Sequence, residues 1–211
     1  MYELSDTLGP SRVRPGTNLL VTGSPMGGKR RVGLDVLAAG TERGEGSIVV
    51  TTTGGAGQVL SRYGELTELT EETPIGVVDC VSRQQGIDPV ADDRVSYAAS
   101  PVDMTTIGIE LSAFLESFSR ERGLGRNRVL FHSLSTLLMY AELGTVFRFV
   151  HVLTGRLQSA GALGLCVIDS TTHDDRTMNT LKQLFDGVIA VEPGEKPRLR
   201  GPAFAEPPRN R

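Results

Sequence analysis

The sequence predicts an α/β fold, a mostly parallel twisted sheet with helices on both faces. Three observations carry that expectation. Short β-branched runs alternate with longer stretches of helical periodicity, the order that builds parallel strands joined by crossover helices. The runs are nearly continuously apolar rather than alternating, as strands covered on both faces read. The 211 residues, 39% hydrophobic and 22% charged, suit one globular domain with a sizeable core.

Element by element, the first strand is expected over 18–22, ahead of a glycine-rich turn and an apolar helix over 32–39. Further strands are expected at 47–53, 75–81, 95–99, 128–132, 163–169 and 187–191. The clearest helix spans 103–122, where Met104, Ile107, Leu111, Phe114, Leu115 and Phe118 recur on one face. Asp103 is its expected N-cap, and Gly123 and Gly125 stop it. A second helix is expected over 143–160 and a weaker third over 176–185. Residues 197–201 read as an edge strand. One domain is thus expected over 1–202, with 203–211 a loose tail.

Composition excludes several functions. Twenty-two basic against 25 acidic residues give a net charge of −3, the wrong balance for a strongly basic nucleic-acid binder. No apolar stretch approaches the roughly 18–20 residues that cross a bilayer, and residues 1–6 lack the basic start and apolar run of a signal peptide. A cytoplasmic protein is expected. Cys80 and Cys166 lie in apolar runs without C-x-x-C spacing, so both read as buried free thiols.

The glycine-rich turn carries the chemistry. Gly23-Ser24-Pro25-Met26-Gly27-Gly28-Lys29 fits G-x-x-x-x-G-K, the front of a phosphate-binding loop. Such glycines let backbone N–H groups converge on an anion, the following helix adds positive potential, and the lysine reaches the terminal phosphates. Only three of the 22 basic residues are lysines, and one occupies this position. The position after it should hold a Ser or Thr hydroxyl for Mg²⁺. Arg30 stands there, followed by Arg31. A guanidinium repels a cation: two unit charges about 4 Å apart interact by roughly 4 kcal/mol at an effective dielectric near 20.

With this loop and strand order, the chain resembles a RecA-superfamily ATPase domain of the archaeal KaiC-like and RadA-like group, over about residues 5–201. "LSDTLGPSRVRPGTNLLVTG" is similar to that family's lead-in to the loop, and "NRVLFHSLSTLLMY" to its Walker B strand. "LFDGVIAVE" and "PRLRG" resemble its late strands. The resemblance implies an ATP-binding domain that works at the interfaces of rings or filaments. The cradle matches at Gly23, Gly27, Gly28 and Lys29. His132 replaces the Walker B Asp, before Ser133-Leu134-Ser135, and Thr51, Thr52 and Thr53 stand where the catalytic Glu would follow the second strand. A threonine hydroxyl is no general base at neutral pH.

Losing the metal ligands and the base together would slow hydrolysis by about four orders of magnitude or more, each ~1.4 kcal/mol being tenfold. Phosphate binding is a separate matter, because Lys29, Arg30 and Arg31 can neutralise phosphates directly. The expectation is a degenerate KaiC-like protein that binds ATP without normal Mg²⁺ coordination, or keeps a vestigial site, and acts through a protein partner or self-association. An active ATPase with an unusual site and an interaction module without nucleotide are the alternatives. The expected site is Gly23, Ser24, Pro25, Met26, Gly27, Gly28, Lys29, Arg30 and Arg31.

Two other constellations compete. His132, Asp169, His173, Asp174 and Asp175 fall at the carboxyl ends of two expected strands, where α/β sheets hold ligands. They admit a transition-metal site, or a Ser–His–Asp set through Ser133 or Ser170, but no G-x-S-x-G or H-E-x-x-H accompanies them. DNA binding is disfavoured: "DSTTHDDRT" is acidic, and no basic stripe with interleaved aromatics occurs.

Overall fold

The computed structural model describes residues 1–89 and 92–204. The chain opens with an antiparallel ribbon of β1 (Tyr2–Glu3) and β2 (Arg12–Val13). Then come β3 (Asn18–Gly23), α1 (Lys29–Thr41), β4 (Gly46–Thr51), α2 (Ala56–Gly64), β5 (Ile75–Asp79) and β6 (Val95–Tyr97). The second half holds α3 (Met104–Arg120), β7 (Asn127–His132), α4 (Leu134–Tyr140) and α5 (Leu143–Ser159). It closes with β8 (Leu163–Asp169), α6 (Asp175–Lys182), β9 (Gly187–Val191) and β10 (Arg198–Arg200).

Strands β3 to β10 form one sheet in the order β10-β9-β3-β8-β7-β4-β5-β6. All its pairs are parallel except β10 on β9. Two cores lie on opposite faces. Leu20, Ile48, Val50 and Phe131 pack under α3, α4, α5 and α6, while Leu19, Val21, Val49 and Leu130 pack under α1, α2 and the N-terminal ribbon. Successive residues of each strand thus enter different cores, the physical cause of the unbroken apolar runs.

The expected strands are all present, though four end sooner: β4 at Thr51, β5 at Asp79, β6 at Tyr97 and β10 at Arg200. Helix α1 begins at Lys29, three residues ahead of the expected start, because the turn passes directly into it. Helix α6 covers Asp175–Lys182 rather than 176–185. Asp103 caps α3 by accepting from Thr106 N–H at 3.2 Å. Both cysteines are buried free thiols, and burial pushes the Cys166 thiol up to about 12.

Helices α2 and α4 are additions to the expected set. Leu134–Tyr140 forms α4 directly after β7. At the C-terminal side, Ala203 and Phe204 pack against the second core and Ala203 N–H donates to Asp186 O at 3.0 Å. Of the expected tail, 205–211 lie outside the described residues. Among the described residues no helix is long and apolar enough to cross a membrane.

Candidate functional site

The glycine-rich loop leaves the sheet at the carboxyl end of β3, flanked by the ends of β8 and β9. Gly23 is paired with Asp169 on one side and Val191 on the other. A Cβ at Gly23 would sit 2.2 Å from the Val191 carbonyl oxygen, so only glycine lets the chain depart there. The loop folds on itself through Gly27 N–H to Ser24 O at 3.1 Å. Met26 takes a left-handed φ of 58° at the tip with its side chain fully exposed. Residues 23–30 are thereby gathered around the start of α1.

The two cations that follow differ in environment. Lys29 is only 5% exposed; its Nζ lies 2.6 Å from Asp169 Oδ1 and donates to Ser24 O. Arg30 is partly buried toward the loop after β4, where a Cβ on Gly54 would lie 3.8 Å from its Nη1. Its Nη2 is buried without a hydrogen-bond partner. Burial, and then the like charge of Arg62, hold Arg30 below the ordinary guanidinium value. Arg31 is not gathered with them. It is exposed, and its charge acts on Asp35 one turn along α1, opposing the burial that raises that carboxyl.

The ends of β4 and β7 face this pair. Thr51 Oγ1 donates to Gly54 O at 2.7 Å; Thr52 Oγ1 donates to Ser133 O at 3.1 Å and accepts from Ser133 N–H at 2.7 Å. Thr53 Oγ1 lies 3.0 Å from His132 Nδ1. The three threonines therefore lace β4 to β7 and shape the turn. Burial, reinforced by Arg30, lowers His132 to about 4, so its ring is neutral at pH 7. Titrated by NMR, the His132 ring is expected to hold its neutral chemical shifts down to about pH 5, while an unperturbed imidazole titrates near 6.5. Stability linked to this ring is complete above about pH 6.5 and is lost as pH falls toward 4, because the unfolded chain binds the proton first.

The competing constellations come apart. His132 turns to Thr53, while His173 Nε2 lies 2.9 Å from Ser135 Oγ. The serine that meets a histidine is thus Ser135, not Ser133 or Ser170. Ser133 Oγ accepts from Ser135 N–H at 3.1 Å to cap α4, and Ser170 N–H donates to Gly23 O at 2.9 Å. Ser135 Oγ also accepts from Asp169 N–H at 2.9 Å. Asp174 caps α6 through Thr177 N–H at 2.8 Å. Among the described residues, no three His, Cys, Asp or Glu side chains group to hold a metal ion. His151 is exposed and stacks on Phe147.

Two acidic residues escaped the sequence reading of the site. Asp169 had been grouped with histidines, yet it pairs with the loop lysine. Asp79 is 1% exposed and accepts from Ala56 N–H at 2.7 Å, Val81 N–H at 2.8 Å, Ser82 N–H at 2.9 Å and Ser82 Oγ at 2.7 Å. Each ends an apolar strand with a carboxylate, a pattern that places it at the ligand end of a parallel sheet.

Comparison with known proteins agrees with this architecture. The fold is similar to that of the KaiC-like protein PH0186 from the hyperthermophilic archaeon Pyrococcus horikoshii OT3. The TM-score is 0.57 at 17% identity, covering 90% of this chain and 78% of that one. At that identity the likeness shows the fold, a RecA-like α/β domain. No curated protein matches the sequence. A family model does match, across the glycine-rich loop, the sheet from β3 to β9 and all six helices. Over residues 16–191 the chain belongs to a family of unknown function, DUF7504.

Proposed function

We propose that this protein binds the phosphates of a nucleotide such as ATP in its loop without a conventional metal site and without turnover, and acts as a regulatory or scaffold protein through protein partners or self-association. The observation that carries this reading is Arg30 Nη2, buried and unpartnered on a side chain that follows the loop and turns toward residues 52–55. A buried guanidinium N–H left without an acceptor is costly, and a phosphate oxygen supplies that acceptor.

The residues present fit a polyphosphate. Ser24, Met26 and Gly28 offer backbone N–H groups, Pro25 having none and Gly27 N–H being held by Ser24 O, and Lys29 and Arg30 supply charge; Arg31, exposed on the outer face of α1, adds only long-range field. They do not fit the usual Mg²⁺: Arg30 stands in the hydroxyl's position and neutral His132 in the carboxylate's. A second reading, an interaction module that binds no nucleotide, is favoured by the Lys29–Asp169 ion pair, which already occupies the loop lysine.

Titration with a fluorescent ATP analogue in EDTA and in Mg²⁺ separates these. Binding is expected in EDTA no weaker than in Mg²⁺, and Lys29→Ala is expected to weaken it tenfold or more, about 1.4 kcal/mol. No binding in either condition overturns the proposal in favour of the module. Phosphate release near about one per second that disappears in Lys29→Ala would instead establish an ATPase.

A further inference from the structure

The acidic group nearest the loop lysine does not come from β7, where the family resemblance would put it, but from the end of β8. Asp169 is aligned with Gly23 across the β3–β8 ladder. Its own N–H is held by Ser135 Oγ at 2.9 Å, and the next residue, Ser170, donates to Gly23 O at 2.9 Å. The backbone that carries the carboxylate is therefore fastened on both sides. The side chain reaches Lys29 at 2.6 Å and is 27% exposed, whereas Lys29 is 5% exposed. The carboxylate lies on the solvent side of an ammonium that is otherwise enclosed.

We infer that Asp169 is an internal anion that holds Lys29 in place of a phosphate and competes with any phosphate entering the loop. This rests on the phosphate-binding reading above and specifies its ligand class. A carboxylate and a phosphate oxygen cannot both take the same ammonium at ion-pair distance without repelling each other. An incoming ligand must displace a built-in competitor, so a single weakly held phosphate is excluded. A di- or triphosphate bears more charge and engages Arg30 as well as Lys29, which lets it prevail. Asp169 thus acts as a threshold that selects polyphosphate esters over inorganic phosphate.

Calorimetric titration of pyrophosphate and of inorganic phosphate in EDTA tests this on the full chain, on Asp169→Asn and on Asp169→Ala. Two variants are used because removing the carboxylate leaves a buried ammonium unpaired, a change that threatens folding, and the isosteric amide disturbs the packing less than alanine. Either folded variant is expected to bind pyrophosphate at least tenfold more tightly and to gain measurable inorganic phosphate binding. Combined with Lys29→Ala, the gain is expected to vanish, as a direct coupling requires. Pyrophosphate binding that is unchanged or weaker without Asp169 overturns the competitor and leaves the phosphate site standing. Absence of pyrophosphate binding in the native chain and in both variants overturns the phosphate site, and the competitor with it.

Discussion

Replacing Arg128 by alanine is expected to destabilise the protein by about 3–5 kcal/mol, the cost of breaking a buried ion pair from one side. Arg128 has no solvent exposure. Its Nε donates to Glu45 Oε2 at 2.6 Å, its Nη1 to Val36 O at 2.6 Å and its Nη2 to Glu3 O at 2.8 Å. The guanidinium also lies 5.5 Å from the centre of the buried Tyr2 ring. One side chain on β7 thus fastens β1, α1 and the turn before β4. Alanine strands the Glu45 carboxylate, which is 5% exposed and whose other cation, Arg126, is 3.6 Å away. Total stabilities of about 5–15 kcal/mol make that loss severe. Urea unfolding at unchanged m checks it. Replacing both partners, Arg128→Met with Glu45→Leu, is expected to recover at least half, since a buried pair gives little net stability over apolar packing. A single variant that loses under about 1 kcal/mol would show that the pair is dispensable.

Asp79→Ala is expected to cost about 3 kcal/mol or more, and to disturb the site as well as the fold. Helix α2 begins after Gly55, which has no side chain to cap it. A Cβ there would meet Ser82 Oγ at 2.8 Å and Asp79 Oδ2 at 3.3 Å, so a conventional Ser or Asp cap has no room. The cap is supplied instead from β5, where Asp79 Oδ2 accepts from Ala56 N–H while Oδ1 takes the N–H groups of Val81 and Ser82. Alanine leaves three backbone donors without an acceptor in a closed space, at about 1–3 kcal/mol for each that water does not reach. The same contact positions the turn at residues 52–55 against Arg30. Unfolding in urea measures the first effect, and titration of the ATP analogue in EDTA the second. Asp79→Asn should lose less than Asp79→Ala in both, because one amide oxygen remains to accept. Equal stability of the native chain and Asp79→Ala would refute the capping role.

How much of the site was legible depended on whether a residue's role is local. The loop could be read directly, because a strand, a G-x-x-x-x-G-K run and a helix follow one another in the chain. Arg31 was grouped with its neighbours for the same reason, yet one residue along a helix is a turn of roughly 100°, and it faces Asp35 instead. Asp169 stands 140 residues from Lys29 in sequence and 2.6 Å from it in space. Its place at the end of an apolar strand marks the ligand end of the sheet, but nothing in the chain order names Lys29 as its partner. Helix α2 was missed because its first-turn cap comes from β5, and α4 because Ser133 begins it immediately after a strand.

The sequence alone determined the α/β class, the parallel character of the sheet and the glycine-rich turn that leads from the first strand into a helix. Each of these depends on periodicity or on adjacent residue types, which the chain carries in order. Only the tertiary structure decided that Lys29 is held by Asp169, that Arg30 ends in a buried donor without an acceptor, and that the histidines serve different partners. Those are relations between the ends of β3, β4, β7 and β8. A parallel sheet sets its strand ends side by side only after long crossovers have closed, so side chains that share a site come from distant parts of the chain.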